Sequence, residues 1–417
     1  MAIRAPKGTK DIFPDQIHKW QYIEKKFAEI CDRYGFKEVR TPIFEHTELF
    51  QRGVGDTTDI VQKEMYTFKD FGGRSITLRP EGTSPVCRAF LEHNYYADVQ
   101  PSKYYYSAPC FRYEKPQAGR LRAFNQFGIE TFGTDDMISD AEIIALGYDF
   151  ITEMGIDEIL LKINSVGCPE CRPKHREALR EFLKPHYDEL CDTCKQRYET
   201  NPMRILDCKS EICQGIVEDA PMMVDYLCDN CKVAFEELEK NLGAFGIEYV
   251  VDPRIVRGLD YYTKTAFEFV TTKIGAQGTV CGGGRYDYLM DEIGDRHVPG
   301  VGFGMGKERI LMLMEANDVK FPEPLKTEIF IAHVGDNAKL YSLNLLRRLR
   351  AAGYRAEVDA LARNIKGQFK YANRLNAKYT VVIGDDEIES GILTVKDMEK
   401  SEQFEVKRED LLDLIKR

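Results

Sequence analysis

The spacing of apolar positions alternates between two periods along the chain. Trp20, Ile23, Phe27 and Ile30 recur at helical spacing within residues 18–33, which predicts an amphipathic helix. Residues 36–44 then read as one strand interrupted by Pro42, and a proline inside a strand marks an edge or an irregularity. Residues 65–68 and 75–78 flank Asp70, Phe71, Gly72 and Gly73, which is a hairpin signal. Alternation around Tyr104, Tyr105 and Tyr106, and again over residues 124–130, predicts two more strands with a polar hairpin loop at 115–119. Further strands are expected at 159–165, 264–271 and 276–281, with helices between them. Long-range antiparallel strands with helices packed on them mean an α+β fold and not a doubly wound one.

From about residue 164 to 245 the texture becomes helical, charged and cysteine-rich. That change predicts an inserted helical domain at 166–248, dividing a larger domain into parts 1–165 and 249–322. Phe321, Pro322, Glu323 and Pro324 read as a linker. Beyond it, strands are expected at 327–334, 355–358, 379–383 and 392–397, with helices at 338–352 and 365–375. Such alternation predicts a small, mostly parallel α/β domain at 326–417.

Composition narrows the picture. The chain has 417 residues, enough for two to four domains, and its 43% hydrophobic content is ordinary for a globular protein with a large core. No apolar run is long enough to cross a bilayer, and the N-terminus has no apolar signal core. A soluble, cytoplasmic protein with no membrane partner is therefore expected. The formal net charge of -10 argues against bulk nonspecific nucleic-acid binding but permits a local basic surface. Residues 339–378 hold ten Lys and Arg against only Glu357 and Asp359. In isolation such a run is a pair of solvated helix faces.

Eight of the twelve cysteines fall between Cys168 and Cys231. Six form pairs at two-residue spacing, Cys168 with Cys171, Cys191 with Cys194 and Cys228 with Cys231; Cys208 and Cys213 complete the set. That spacing lets two thiolates reach one tetrahedral ion, and inside a cell clustered pairs favour structural zinc over disulfides. Which four would bind it cannot be read from spacing. Packed reduced thiols, or disulfides in a hyperthermophile, are the competing readings. Cys31, Cys87, Cys110 and Cys281 read as small buried hydrophobes.

Two distant segments carry the chemistry. The first holds Arg112, Glu114, Arg120 and Phe124; the second holds Gly302, Gly304, Gly306 and Arg309. Guanidinium forks grip phosphate oxygens and stay charged, so Arg112 and Arg120 are candidate phosphate ligands. Glu114 can accept a hydrogen bond from an exocyclic purine amine, and Phe124 can cover one purine face. Together the segments point to a site that holds ATP in a bent shape and activates a carboxylate. The glycines follow neither a Rossmann nor a P-loop pattern, so the nucleotide would be bound by side chains on a sheet. Glycine at 302, 304 and 306 is expected to let ATP and the Arg309 helix approach closely; the alternative is an isolated glycine-rich turn with a structural role.

These segments resemble motifs 2 and 3 of the class II aminoacyl-tRNA synthetases. The stretches 257–262, with Arg257, Gly258, Asp260, Tyr261 and Tyr262, and 282–287, with Arg285, Tyr286 and Asp287, resemble the two histidine-specific signatures of the histidyl-tRNA synthetase family. Residues 78–83, with Glu81 and Thr83, fit that family too, as do Pro6 to Asp11 and the motif 1 stretch around Pro42. The likeness covers nearly the whole chain and is weakest in the cysteine-rich middle. It implies an antiparallel catalytic sheet with a helical insertion and a C-terminal anticodon-binding domain. It also implies a homodimer formed largely through the first helix and strand, though Pro42 alone would mark only an edge strand.

By that resemblance, Glu81 and Thr83 hold the amino group of L-histidine, and Gln126, Glu130, Tyr261, Tyr262 and Tyr286 surround the amino acid. Ordinary alternatives are a salt bridge from Glu81 to Arg79 and core packing for the tyrosines. Arg257 would sit against the reacting α-phosphate and share charge stabilisation with Arg112. Arg120 and Arg309 would clamp the γ-phosphate, and Gln117 and Arg122 would meet the tRNA acceptor end. Magnesium would accompany ATP as the phosphates' own ion, since no protein cage for it is evident. The implied reaction makes histidyl adenylate and then charges tRNA(His), by positioning and charge alone. A silent regulatory subunit of ATP phosphoribosyltransferase is the rival of a different class. It would not need Arg257, Arg309 or the C-terminal domain. Synthetases for proline, threonine or glycine are disfavoured by the two histidine signatures. The basic run at 339–378 then reads as a tRNA surface.

Overall fold

The computed structural model describes residues 3–55, 58–273 and 278–411. The chain forms two compact units, Met1–Pro322 and Glu323–Arg417. Strands of the first are β1 (Lys37–Glu38), β2 (Phe44–His46), β3 (Tyr66–Lys69), β4 (Ser75–Leu78), β5 (Ser102–Phe111), β6 (Ala123–Phe132), β7 (Leu160–Ser165), β8 (Val250–Val251), β9 (Thr263–Val270), β10 (Thr279–Arg285) and β11 (Gly300–Gly306). Eight form one sheet in the order β1-β5-β6-β11-β10-β9-β7-β8, antiparallel except at its two outermost pairs. A smaller sheet is β2-β4-β3.

The helix Pro14–Arg33 begins four residues before the expected start, with proline in its first turn, where a missing N–H costs nothing. It buries Ile23, Phe27, Ile30 and Cys31. Phe27 stacks on Phe127 of β6 at 4.1 Å and meets Phe150 edge-on at 5.1 Å. Each such buried ring contributes about 1.5–3 kcal/mol relative to exposure. This pins the helix beneath the central strands.

Several expectations need correction. Residues 36–44 form no single strand: β1 pairs with β5, whereas β2 pairs with β4 in the other sheet. Pro42 lies between them and has no N–H to continue a ladder. The strand expected at 276–281 is β10 at Thr279–Arg285, so its glycines are strand residues; residues 276 and 277 lie outside the described residues. Likewise Gly302, Gly304 and Gly306 belong to β11 and not to a turn. Between β7 and β8 the chain is helical, including Cys171–Leu183, Asp192–Thr200, Glu211–Ile216 and Asp229–Phe245.

The second unit holds β12 (Ile329–His333), β13 (Ala356–Val358), β14 (Tyr379–Ile383), β15 (Ile392–Asp397) and β16 (Gln403–Lys407), ordered β13-β12-β14-β15-β16. The first three are parallel and the last two antiparallel, so the sheet is mixed where a mostly parallel one was expected. The short connection through Asp385–Ser390 explains this, because a parallel return needs a dozen or more residues. Lys366 and Lys370 are exposed on the helix Ile365–Arg374. Arg350, Arg355 and Arg363 pair with Glu357, Glu328 and Asp359. Among the described residues, no helix is long and apolar enough to cross a membrane.

One buried network fixes the end of β10. Arg285 is fully buried and donates through Nε to Asp140 at 3.1 Å, through Nη1 to Asp287 at 3.2 Å and to the Thr134 carbonyl at 2.8 Å. Asp287 also has Lys264 at 3.0 Å, whereas Asp140 depends on Arg285. The neighbouring Tyr286 is thereby held in orientation. Removing one partner of a buried pair strands the other charge at a cost of about 3–5 kcal/mol. Arg285→Met is expected to lower unfolding free energy by that order in urea titrations. Arg285→Met/Asp140→Leu is expected to regain part of it. A single variant as stable as the wild type would contradict the network's role.

Candidate functional site

The central strands β6, β11 and β10 form the floor of the site. Register places Gly302 opposite Glu130 and Gly306 opposite Gln126. A Cβ at Gly302 would lie 2.0 Å from a Glu130 oxygen, and one at Gly304 would lie 1.9 Å from the Gln126 amide nitrogen. At Gly282, a Cβ would meet both terminal nitrogens of Arg257 at 2.6 Å. The glycines thus make room for polar side chains lying flat across the sheet. For 302 and 304 this replaces the expected reason, close approach of ATP and a helix.

At one end of this floor the arginines are linked through shared partners. Arg257 pairs with Glu268 of β9, and its guanidinium lies 5.4 Å from the Tyr262 ring centre. Glu268 also accepts from the Thr279 hydroxyl at 2.9 Å, while the Thr279 carbonyl accepts from Arg309. Arg309 further donates to the Gly119 carbonyl at 3.4 Å. Burial, with the like charge of Arg120 beside it, depresses the Arg309 pKa. Arg120 pairs with Glu114 at 3.1 Å; Arg112 reaches Glu114 at 3.9 Å, donates to the Pro80 carbonyl at 2.8 Å and lies 5.5 Å from the Phe124 ring centre. Arg112 and Arg309, 197 positions apart in sequence, are thereby both brought beside Glu114 and Arg120. Neighbouring guanidinium groups with few carboxylates between them suit a polyanion.

The other end is a compact polar pocket with aromatic walls. Glu130 is fully buried; it accepts from the Tyr286 hydroxyl and, at 2.8 Å, from the Thr83 hydroxyl. Tyr261 lies 4.6 Å from Tyr262 and 5.5 Å from Tyr286, ring centre to ring centre. Glu81 makes no bond to Arg79. Its oxygens accept the backbone N–H groups of Thr83 at 2.6 Å and Ser84 at 2.9 Å, capping the helix Thr83–Glu92. Arg79 instead holds the carbonyls of Pro109 and Thr41. The salt-bridge alternative is thereby excluded, and the tyrosines form a polar-tipped cluster around a carboxyl. Burial pushes the Glu130 carboxyl up to about 8, although its hydroxyl donors favour the charged form.

The loop between β5 and β6 borders a cavity of about 570 Å³ lined by residues including Glu64, Tyr113, Glu114, Gln117 and Arg120. Burial, then the nearby Glu114 charge, raises the Glu64 pKa. Gln117 is exposed. Arg122 is not: its guanidinium lies 3.8 Å from the Tyr113 ring centre, it donates to the Glu114 carbonyl, and its stem packs on Gly8. It fastens the loop to the N-terminal segment.

The family description "Histidyl-tRNA synthetase" matches residues 8–310, and "Anticodon binding domain" matches residues 328–417. A histidine–tRNA ligase of Caldanaerobacter subterraneus subsp. tengcongensis is 56% identical, with all of both chains covered. One from Clostridioides difficile is 52% identical, covering 100% of this chain and 99% of its own. The crystal structure of apo Staphylococcus aureus histidyl-tRNA synthetase aligns over 100% of both chains, with a TM-score of 0.84 and 40% identity. The chain belongs to the histidyl-tRNA synthetase family.

Within this member of the family, two site groups escaped the sequence reading. Glu268, the partner of Arg257, is one; Glu308, which accepts from the Asn125 backbone and side chain at 2.9 and 3.2 Å, is the other. The first had a signal, a lone carboxylate between Phe267 and Phe269 in a strand. The eight clustered cysteines separate into two groups, Cys168, Cys171, Cys228 and Cys231, and Cys191, Cys194, Cys208 and Cys213. The sulfurs within each lie within 4.8 Å of one another.

The raised Glu130 pKa has a measurable consequence. Unfolded, the carboxyl loses its proton near 4.5; folded, it keeps it to about 8. Its contribution to stability is fully present below pH 4.5 and is lost as pH rises through 8. Relative to wild type, Glu130→Gln is expected to gain unfolding free energy progressively between those values, measured by urea titration at stepped pH. A difference between the two proteins that stays flat with pH would show that Glu130 is ionised throughout.

Proposed function

We propose that this chain joins L-histidine to the 3′ end of tRNA(His) in two steps, through a histidyl-adenylate intermediate formed from ATP. The observation that carries this reading is the line that runs from Arg112, Glu114 and Arg120 along the Gly119 backbone to Arg309, and on through Thr279 and Glu268 to Arg257, ending beside the Tyr262, Tyr286 and Glu130 pocket. It sets a polyanion-binding surface against a pocket with a buried carboxyl and phenol groups.

In this reading Glu81, Thr83 and Glu130 receive the histidine ammonium, and ionisation of Glu130 accompanies arrival of that charge. Gln126, Tyr261, Tyr262 and Tyr286 supply hydrogen bonds and walls for the imidazole, so an isostere without its nitrogens leaves them unpaired. Glu114 reads the adenine and Phe124 covers it, which requires Arg120 to move from Glu114 to the γ-phosphate with Arg309. The carboxylate attacks the α-phosphate in line, and Arg257 and Arg112 stabilise the developing charge. Glu268 holds Arg257 in place.

Among the described residues, the groups able to cage a metal are the two cysteine clusters. In this reading magnesium accompanies ATP, because the phosphates carry it and it would neutralise their charge, while the thiolates suit structural zinc. Gln117 offers an exposed amide to the tRNA acceptor end, and Arg122 shapes the loop that presents it. We assign residues 1–165 and 249–322 to catalysis, 166–248 to an insertion and 326–417 to the anticodon. Exposed Ile43, Phe44 and Phe68 support a homodimer contact across β2 and β3. A cytoplasmic location follows from the role in translation. Arg257, Arg309 and the second unit disfavour the regulatory-subunit reading, as do full-length relatives named as ligases.

Amino-acid-dependent exchange of pyrophosphate into ATP tests the reading. Exchange is expected with histidine and not with proline, threonine or glycine; silence with every amino acid would favour the regulatory role. Lys366→Glu/Lys370→Glu is expected to cut tRNA charging about tenfold or more and leave exchange intact, given the salt-sensitive phosphate contacts such lysines make. Equal loss of both activities would assign that helix to the fold.

A further inference from the structure

The two cysteine clusters differ in what they touch. Each has two members at two-residue spacing on a helix start: Cys191 and Cys228 occupy the N-cap positions of Asp192–Thr200 and Asp229–Phe245, with Cys194 and Cys231 inside the helices. At these helix starts the first-turn N–H groups have no intrahelical partner. Backbone N–H groups also point at sulfur, from Cys228 to Cys171 Sγ at 3.1 Å and from Cys191 to Cys213 Sγ at 3.4 Å. The sulfur–sulfur separations are 3.5 Å for Cys168 and Cys171, 3.8 Å for Cys168 and Cys228, and 3.8 Å for Cys191 and Cys208. Tetrahedral zinc with Zn–S bonds of about 2.3 Å requires sulfurs roughly 3.8 Å apart. A disulfide would need about 2.05 Å. All eight are free thiols, and a spread within 4.8 Å has room for one ion and not for a multi-iron cluster.

Their surroundings divide them further. Cys171 and Cys231 share one apolar cluster with Tyr261, Tyr262 and Tyr286. Cys194, Cys208 and Cys213 belong to a separate cluster inside the insertion, with Leu179, Leu183 and Val217. The first group gathers the two ends of the insertion: Cys168 follows β7 directly, and Cys228 and Cys231 begin the helix that leads back to β8. Arg172, next to Cys171, donates to the Tyr262 backbone carbonyl. Arg172 also lines a cavity of about 320 Å³ with Arg257, Asp260 and Asn201, and Asn201 donates to Asp260 at 3.0 Å.

We propose that the insertion holds two zinc ions, one in Cys168–Cys171–Cys228–Cys231 and one in Cys191–Cys194–Cys208–Cys213. The first ion positions the tyrosine wall of the amino-acid pocket through Arg172; the second closes the core of the insertion. Only the link to the pocket rests on the histidine reading; the metal count does not.

Elemental analysis and zinc-edge X-ray absorption of the full-length protein test the sites without mutation. Two zinc ions per chain, each with four sulfur neighbours, are expected. One or none would overturn the two-site assignment, and a coloured, iron-loaded protein would overturn zinc. Cys228→Ser and Cys194→Ser should each lose one ion. Arg172→Gln tests the link without touching a ligand: it should retain both ions and raise the histidine KM several-fold in pyrophosphate exchange, with the ATP KM changed less. An unchanged histidine KM, or an equal rise in both, would remove the link while leaving the metal count to stand on its own measurement. A wild type showing two zinc ions and no exchange with any amino acid would fail the functional reading alone.

Discussion

A long polar side chain can lie flat across a β-sheet only where the strand position beneath it presents no side chain. In this protein Gly282, Gly302 and Gly304 supply that vacancy, and Arg257, Glu130 and Gln126 lie in the space. A methyl group at any of the three would approach within 2.6 Å of a polar atom that the site depends on. From this constraint the rest follows. The strands bearing the glycines must be central, since their ladder bonds must offset the weak intrinsic preference of glycine for strand. The helix Pro14–Arg33 and the Phe27–Phe127–Phe150 stack support the sheet from beneath. Arg285 and Asp140 lock the end of β10 so that Tyr286 faces Glu130.

The electrostatics are arranged for a ligand of both signs. Arg112, Arg120 and Arg309 are held by carbonyls and by Glu114, partners that a triphosphate can replace or supplement. Glu130 is the opposite case, a carboxyl whose buried position disfavours its charge until a cation arrives. Between them Arg257 is anchored by Glu268, which fixes its charge before any ligand binds. Preorganisation of this kind relies on fixed groups and needs no covalent enzyme intermediate.

Much of this was legible in the sequence, for identifiable reasons. Regular alternation exposed β5 and β6, and the hairpin signal exposed β3 and β4. Ordered motifs then brought the arginines and tyrosines to one site. Glycine cut the expected strand short at β10 and hid β11, because it carries no hydrophobic pattern. Pro42 hid a change of sheet within residues 36–44. Spacing marked the cysteine pairs but not their partition, which depends on how helices distant in sequence pack. The sequence marks Glu81 as a binding group, but its acceptance of the Thr83 and Ser84 backbone N–H groups depends on how the chain turns into the helix.

The central claim is that Gly282 matters because Arg257 lies over it. A double-mutant cycle in histidine-dependent pyrophosphate exchange tests this most directly, with circular dichroism checking the fold of each variant. Gly282→Ala is expected to lose most of the activity that Arg257→Ala loses, and the double variant should be no worse than Arg257→Ala alone. Losses that simply multiply would mean the two residues act independently, and would contradict the account.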